Sequence, residues 1–245
     1  MKADPAMQRR LLELADADAE LARIEHRRRT LPELAEIAAA ELSLRAKRDT
    51  QVAVQTTLTD LDREVKRQER EIDAVRARED RDRGLLTDGT VSAKQLTDLE
   101  HELATLERRQ TTLEDDLIEL MERREAVELD GQHAGIELAK AEEALADAGR
   151  RRDEALADLD TAQARRVAER TKLLTQIPEP LFRMYDRVRA VKGIGAALLR
   201  ARRCGACRLE LDRSAISRIA AAPADEVVTC DECGAILVRT GESGL

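Results

Sequence analysis

The side chains best suited to specific chemistry are four cysteines. They fall into two pairs, Cys204-Gly205-Ala206-Cys207 and Cys230-Asp231-Glu232-Cys233-Gly234, with 22 residues between them. Two thiols separated by two residues can turn toward one ion, and two such knuckles complete a tetrahedron of four sulfurs. The spacing falls close to that of zinc sites, and Gly234 suits the tight turn after the second knuckle. Other uses of the thiols fit less well. Disulfides are rare inside cells, a thioredoxin-like redox pair needs a βαβ context that is absent, and the small aromatic shell common around four-sulfur iron is missing. Cys204, Cys207, Cys230 and Cys233 are therefore the expected ligands of one zinc ion. Four thiolates leave no open position for water, so the ion is expected to be structural.

The residues around the knuckles suggest how they are held. Val227, Val228 and Thr229 precede the second knuckle and Ile236, Leu237 and Val238 follow it; these β-prone residues predict a hairpin around it. Residues 212–222 read as a linker with a short helix. Further upstream, Phe182 and Tyr185 are the only aromatics besides histidine. With Leu181 and Val188 they predict one short, packed helix. Gly193 and Gly195 mark a loop, and residues 196–203 lead into the first knuckle.

Charge is concentrated in this same region. Residues 181–208 hold eight basic side chains, Arg183, Arg187, Arg189, Lys192, Arg200, Arg202, Arg203 and Arg208, against the single acid Asp186. That is +7 in a chain whose net charge is −8. Such a stretch is a candidate surface for the phosphates of RNA or DNA, or simply the solvated face of a small domain. After Arg208 the balance reverses to seven acids and three bases.

The rest of the chain reads as scaffold. Charged residues make up 38% and aromatics 1% of 245 residues, while 42% are hydrophobic, mostly Ala and Leu. Long solvated helices with a narrow apolar stripe have this composition. Asp4 and Pro5 open the first helix, which carries Leu11, Leu14, Leu21 and Ile24 at helical spacing. Pro32 predicts a break near 30–32. A heptad seam follows at Leu58, Leu61, Val65, Gln68, Ile72 and Val75. It stops at Gly84, and Asp88-Gly89 reads as a turn within 84–91. Ser92 and Gln95 form a capping box. A second seam begins at Leu96, Leu99, Leu103 and Leu106, passes through Gln110, Leu113, Leu117, Leu120, Arg124 and Val127, and continues at looser spacing to Val167. Pro178 ends it.

Two seams flanking one turn predict a long antiparallel coiled-coil hairpin within one chain, preferred over an intermolecular dimer of the same helices because the turn chemistry is good. The fold class is thus mainly α, with 1–176 forming the hairpin and 177–245 a C4 zinc-ribbon domain behind a short leading helix. A turn at Asp88 pairs residues whose numbers sum to about 175, which sets Ala38, Ala39 and Ala40 near Gly135. No run is apolar enough to span a bilayer, and the first residues lack a signal core, so a cytoplasmic location is the default. His26, His101 and His133 fall on the arms as exposed residues. No nucleophile triad, phosphate loop or isolated carboxylate pair stands out, so neither an enzyme nor a small-molecule substrate is expected.

The C-terminal motifs carry a resemblance. Ile177-Pro178-Glu179, Leu181, Tyr185, Arg187-Val188-Arg189, the two knuckles and Ala235-Ile236-Leu237 resemble the bacterial C4-type zinc-ribbon family with a long N-terminal coiled-coil hairpin. Family members often carry a basic residue and an aromatic where this chain has Ala235 and Val238. The resemblance implies zinc on the four cysteines and a role as a nucleic-acid-binding protein or an adaptor. Two functions are therefore expected. One is a non-enzymatic adaptor that binds RNA or DNA through the basic stretch. The other is a protein–protein scaffold, or chaperone-like adaptor, for transcription or secretion partners along the hairpin. A variant of the latter inserts the acidic tip, residues 79–83, into a polymerase channel.

Overall fold

The computed structural model describes every residue except Thr90. The predicted turn at 84–91 therefore lies partly outside the described residues. The elements are α1 (Pro5–Arg29), α2 (Pro32–Thr87), α3 (Ala93–Leu174), α4 (Glu179–Lys192), β1 (Ala196–Arg200), β2 (Arg203–Cys204), α5 (Arg213–Ala221), β3 (Val228–Thr229) and β4 (Ile236–Val238). Two compact units result. One comprises Met1–Leu34 with Arg151–Leu245, the other Ala35–Arg150.

In the unit Ala35–Arg150, α2 and α3 run antiparallel. Ile72, Val75, Leu106 and Leu113 form a buried cluster, and Leu44, Leu120, Ala134, Ala141 and Ala148 are also buried. The polar seam positions Gln68 and Arg124 are satisfied rather than empty. Gln68, 8% exposed, donates its Nε2 to the Leu113 carbonyl at 3.1 Å. Arg124 donates to Asp62 at 2.6 Å and pairs with Glu128. Polar residues at such positions fix register at some cost in stability.

The register differs from the sequence expectation. A Cβ on Gly135 would lie 3.9 Å from Gln51, and one on Gly131 would lie 3.5 Å from Val54. Facing residues thus sum to roughly 180–190, consistent with a heptad seam, and Ala38–Ala40 do not face Gly135. The reason lies at the turn. α2 continues through Gly84 to Thr87 and α3 starts at Ala93, so the midpoint falls later than Asp88. The cost of one glycine in a helix, about 1 kcal/mol, is small beside the packing of a long seam. The capping box forms as expected, with Ser92 N donating to Gln95 Oε1 at 2.9 Å. Leu96, 41% exposed, is not a seam residue.

In the other unit, α1 starts on its predicted cap: Asp4 accepts from Ala6 N, and Pro5 follows. The helix ends at Arg29, and α2 restarts at Pro32, where proline can only open a helix. Leu11, Leu14, Leu173, Ile177, Leu181 and Tyr185 cluster with Ala196, Val227 and Ile236 of the ribbon. Val167, 45% exposed, lies outside this core. Beneath the cluster sits a polar knot. Asp18, with its side chain 5% exposed, accepts from Tyr185 Oη at 2.7 Å and Arg170 Nε at 2.7 Å, with Arg189 at 3.4 Å. One carboxylate thereby ties α1 to α3 and α4. Burial first, and the bond to Asp18 second, push the Tyr185 phenol well above its ordinary range, so it stays a donor.

The sheet has the order β2-β1-β4-β3. β3 and β4 form the predicted antiparallel hairpin around the second knuckle. β1 is parallel to β4 and antiparallel to β2. This strand, Ala-Ala-Leu-Leu-Arg, was not legible as β structure, because its residues favour helix. Pairing on both sides overrides that preference. Gly195 enables the approach: a Cβ there would lie 2.6 Å from the Tyr185 carbonyl oxygen.

Candidate metal centre and its surroundings

The two knuckles have the same backbone design. Arg208 N donates to Cys204 O at 2.7 Å and Gly234 N to Cys230 O at 2.8 Å. Cys204 N donates to Leu209 O at 3.0 Å and Cys230 N to Ala235 O at 2.9 Å. Both turns need a left-handed residue at the fourth position after the first cysteine, supplied by Gly234 (φ +76°) and Arg208 (φ +64°). The glycine is legible in sequence. The arginine is not, because its side chain disfavours that conformation.

This backbone brings the four sulfurs within 4.8 Å of one another. Cys204 Sγ lies 3.8 Å from Cys233 Sγ, and Cys207 Sγ lies 3.9 Å from Cys230 Sγ. Zinc–sulfur bonds of about 2.3 Å place tetrahedral sulfurs about 3.8 Å apart, so the donor set fits one zinc ion. Cys204 and Cys230 are buried, whereas Cys207 and Cys233 are half-buried. Burial pushes the Cys204 thiol up to about 12 and raises that of Cys230, while the Leu209 amide lowers that of Cys207. A bound divalent cation supplies the charge that buried thiolates lack. Leu199, Leu211, Ala215, Ile219 and Leu237 pack around Cys204 and Cys230.

α5 lies between the knuckles, as read from sequence. Asp212 caps it by accepting from Ala215 N at 2.7 Å, and this bond holds its carboxyl below the usual range. Arg239 was missed. Its guanidinium donates to the carbonyls of Ile219, Ala222, Pro223, Ala224 and Glu226, so it fixes the exit from α5. Its only sequence signal is a lone arginine after an apolar strand. Ala235 and Val238, which depart from the family pattern, are fully buried at 0% and 1%. Both are core positions here.

The eight basic residues are dispersed in their engagements. Arg183 pairs with Glu179, Arg189 with Asp186 and Asp18, Arg200 with Glu242, and Arg203 with Glu210. Arg202 donates to the Gly244 carbonyl at 2.9 Å. Among the described residues, Arg187, Lys192 and Arg208 have no ion pair. On the acidic side, Arg218 holds Asp231 at 2.6 Å. At the tip, Arg83 pairs with Glu79, Asp80 and Glu107, and Glu79 is only 2% exposed. The predicted acidic tip is thus largely neutralised.

No helix among the described residues is long and apolar enough to cross a membrane. Residues 14–193 match the CT398-like coiled coil hairpin domain, and residues 203–237 match the C4-type zinc ribbon domain. An uncharacterized protein of Mycobacterium tuberculosis is 47% identical over 239 residues, 98% of each chain. One of Mycobacterium leprae is 38% identical over 225 residues, 91% of this chain and 96% of its own. A solved structure from Mycobacterium smegmatis superposes with a TM-score of 0.87 at 44% identity, over 98% of this chain and 100% of that one. CT398 of Chlamydia trachomatis shares the fold at 18% identity, with a TM-score of 0.66 over 96% of this chain and 99% of its own. With a hairpin match over most of its length and four thiols arranged as a C4 site, the chain belongs to the family that joins a CT398-like coiled coil hairpin to a C4-type zinc ribbon.

Proposed function

We propose that this zinc-binding protein is a non-enzymatic adaptor, and that its arms hold a protein partner. The observation that carries this reading is the charge division along with exposed apolar residues. Ala35–Arg150 holds 18 basic and 29 acidic residues, a net −11, whereas the remainder holds 24 and 21, a net +3. The acidic unit also exposes Leu42, Val52, Ile118, Met121, Leu129 and Ile136, each by more than half. Large apolar side chains on an acidic surface suit a protein ligand and repel nucleic acid. A zinc shell of four sulfurs supports a structural role for the ion.

A second reading has its own observation. Arg208 holds a left-handed conformation at the position where the other knuckle has glycine, and strained residues often mark functional positions. Contact with RNA or DNA would use Arg208, Arg187 and Lys192, with the paired arginines Arg183, Arg189, Arg200, Arg202 and Arg203 around them. Binding of zinc-loaded protein to labelled RNA and DNA at two salt concentrations separates the readings. No binding at low salt leaves the protein adaptor. Salt-sensitive binding that Arg208→Gly and Arg187→Glu abolish establishes the nucleic-acid adaptor instead.

A further inference from the structure

Most exposed apolar residues of a long helix are scattered and need no explanation. Those of α3 are not scattered. Ile118, Leu129 and Ile136 are spaced by eleven and seven residues, which returns them to one line of the helix at about 3.6 residues per turn. Met121 lies beside that line. They are 56%, 52%, 54% and, for Met121, 54% exposed. The seam residues Leu113 and Leu120 are buried on the side turned away from them. The helix therefore carries two apolar lines, and packing against α2 uses one.

The surroundings of the second line are predominantly acidic. Residues 114–128 hold seven acids and two bases. Of the two bases, Arg124 is engaged by Asp62 and Glu128, and Arg123 falls on the far side of the helix. Asp115 and Glu122 flank Ile118 at helical spacing, and Glu125, seven residues after Ile118, falls on the line itself before Leu129. Ile118 also borders a shallow groove of about 640 Å³ whose α2 side carries Glu69, Asp73 and Arg76, the last paired with Glu114 at 2.7 Å.

From this juxtaposition we infer that the outer face of α3 between Asp115 and Ile136 is a docking surface for a basic amphipathic helix of a partner protein. This rests on the adaptor reading above. The apolar line would take the partner's apolar stripe, and the flanking carboxylates would take its lysines or arginines, as charged flanks do in coiled coils. Residues 118–136 span about 27 Å at 1.5 Å per residue, so a partner helix of about five turns covers the line. A second copy is disfavoured, because a two-fold contact sets this acidic face against itself. Nucleic acid is disfavoured by the same charge.

The test uses the full-length, zinc-loaded protein and a fluorescent 18-residue peptide of Leu and Lys, with leucines at heptad spacing. A Leu/Glu peptide of the same pattern is its control. Anisotropy should show that the Lys peptide binds and the Glu peptide does not. Ile118→Ser with Leu129→Ser should weaken binding at least tenfold without changing helix content, since neither residue is in the seam. Glu122→Lys with Glu125→Lys should do the same. Glu41→Lys with Asp49→Lys, an equal charge change elsewhere on the same unit, should not. The assignment is overturned if both peptides bind alike, if the control variant weakens binding equally, or if the serine variant binds like the parent. Failure in any of these ways, with no RNA or DNA binding, removes this face but leaves the adaptor reading. Failure together with salt-sensitive RNA binding removes both.

Discussion

Arg208 and Gly234 occupy equivalent places in two knuckles with equal hydrogen bonds, so each serves as a control for the other. A side chain in the left-handed region costs roughly 1–2 kcal/mol. Gly234→Ala should therefore lower ribbon stability by about 1 kcal/mol, read as a lower melting temperature of the zinc-loaded protein. Arg208→Gly should leave that temperature unchanged or raise it, because it relieves the same strain. A drop on Arg208→Gly would mean that the guanidinium stabilises the knuckle through contacts outweighing the strain. Spacing alone identified the cysteines because metal ligation constrains sequence separation so tightly. Arg239 escaped notice because its five carbonyl acceptors come from residues 219–226, and backbone acceptors leave no trace in side-chain patterns.

At the scale of elements, Asp18 joins three helices. Asp18→Asn leaves Arg170 and Arg189 without their buried countercharge and should cost about 3 kcal/mol. Tyr185→Phe loses one hydrogen bond to a charged group and should cost about 1.5–3 kcal/mol. Thermal or urea unfolding of both variants checks the order, and equal effects would show that the phenol carries the whole tie. The arms respond to pH through pairs such as Glu114. Bonds from Gln110 and then Arg76 hold its carboxyl below the ordinary 4.5. A depressed folded value contributes stability that is fully present above about pH 4.5 and is lost as pH falls through the lower folded value. Glu114→Gln should flatten the fall in melting temperature on acidification between those values. An unchanged slope would assign the acid sensitivity to other pairs.

For the whole molecule, zinc and the heptad seams are separate sources of order. Binding of a structural zinc contributes on the order of 10 kcal/mol to folding a small domain, whereas the arms rest on buried apolar side chains. Chelation, or Cys230→Ser, should therefore unfold the ribbon and leave most helical circular dichroism intact. Tyr185 is the chain's single tyrosine and is fully buried where α1, α3 and α4 meet Ala196 and Ile236 of the ribbon, so its near-ultraviolet dichroism reports how the ribbon packs on those helices. The tyrosine signal should weaken on chelation, as the contacts with Ala196 and Ile236 are lost, while the signal at 222 nm persists. Simultaneous loss of both would show that the helices depend on the ion.

The sequence by itself determined the helical arms, their caps, the break at Pro32, the second-knuckle hairpin and the C4 donor set. Each is written in local spacing: heptads, proline and glycine punctuation, and cysteine pairs. Only the tertiary structure decided the register of the arms, because heptads repeat and a shift by whole turns keeps every apolar residue in a seam; Gln68 meeting the Leu113 carbonyl breaks that degeneracy. It alone made a strand of residues 196–200, through pairing with β4 from the far side of the second knuckle. It also decided which charges are free. Net charge is additive along a chain, but whether Arg200 or Arg203 is available depends on Glu242 and Glu210, acids that only folding brings near.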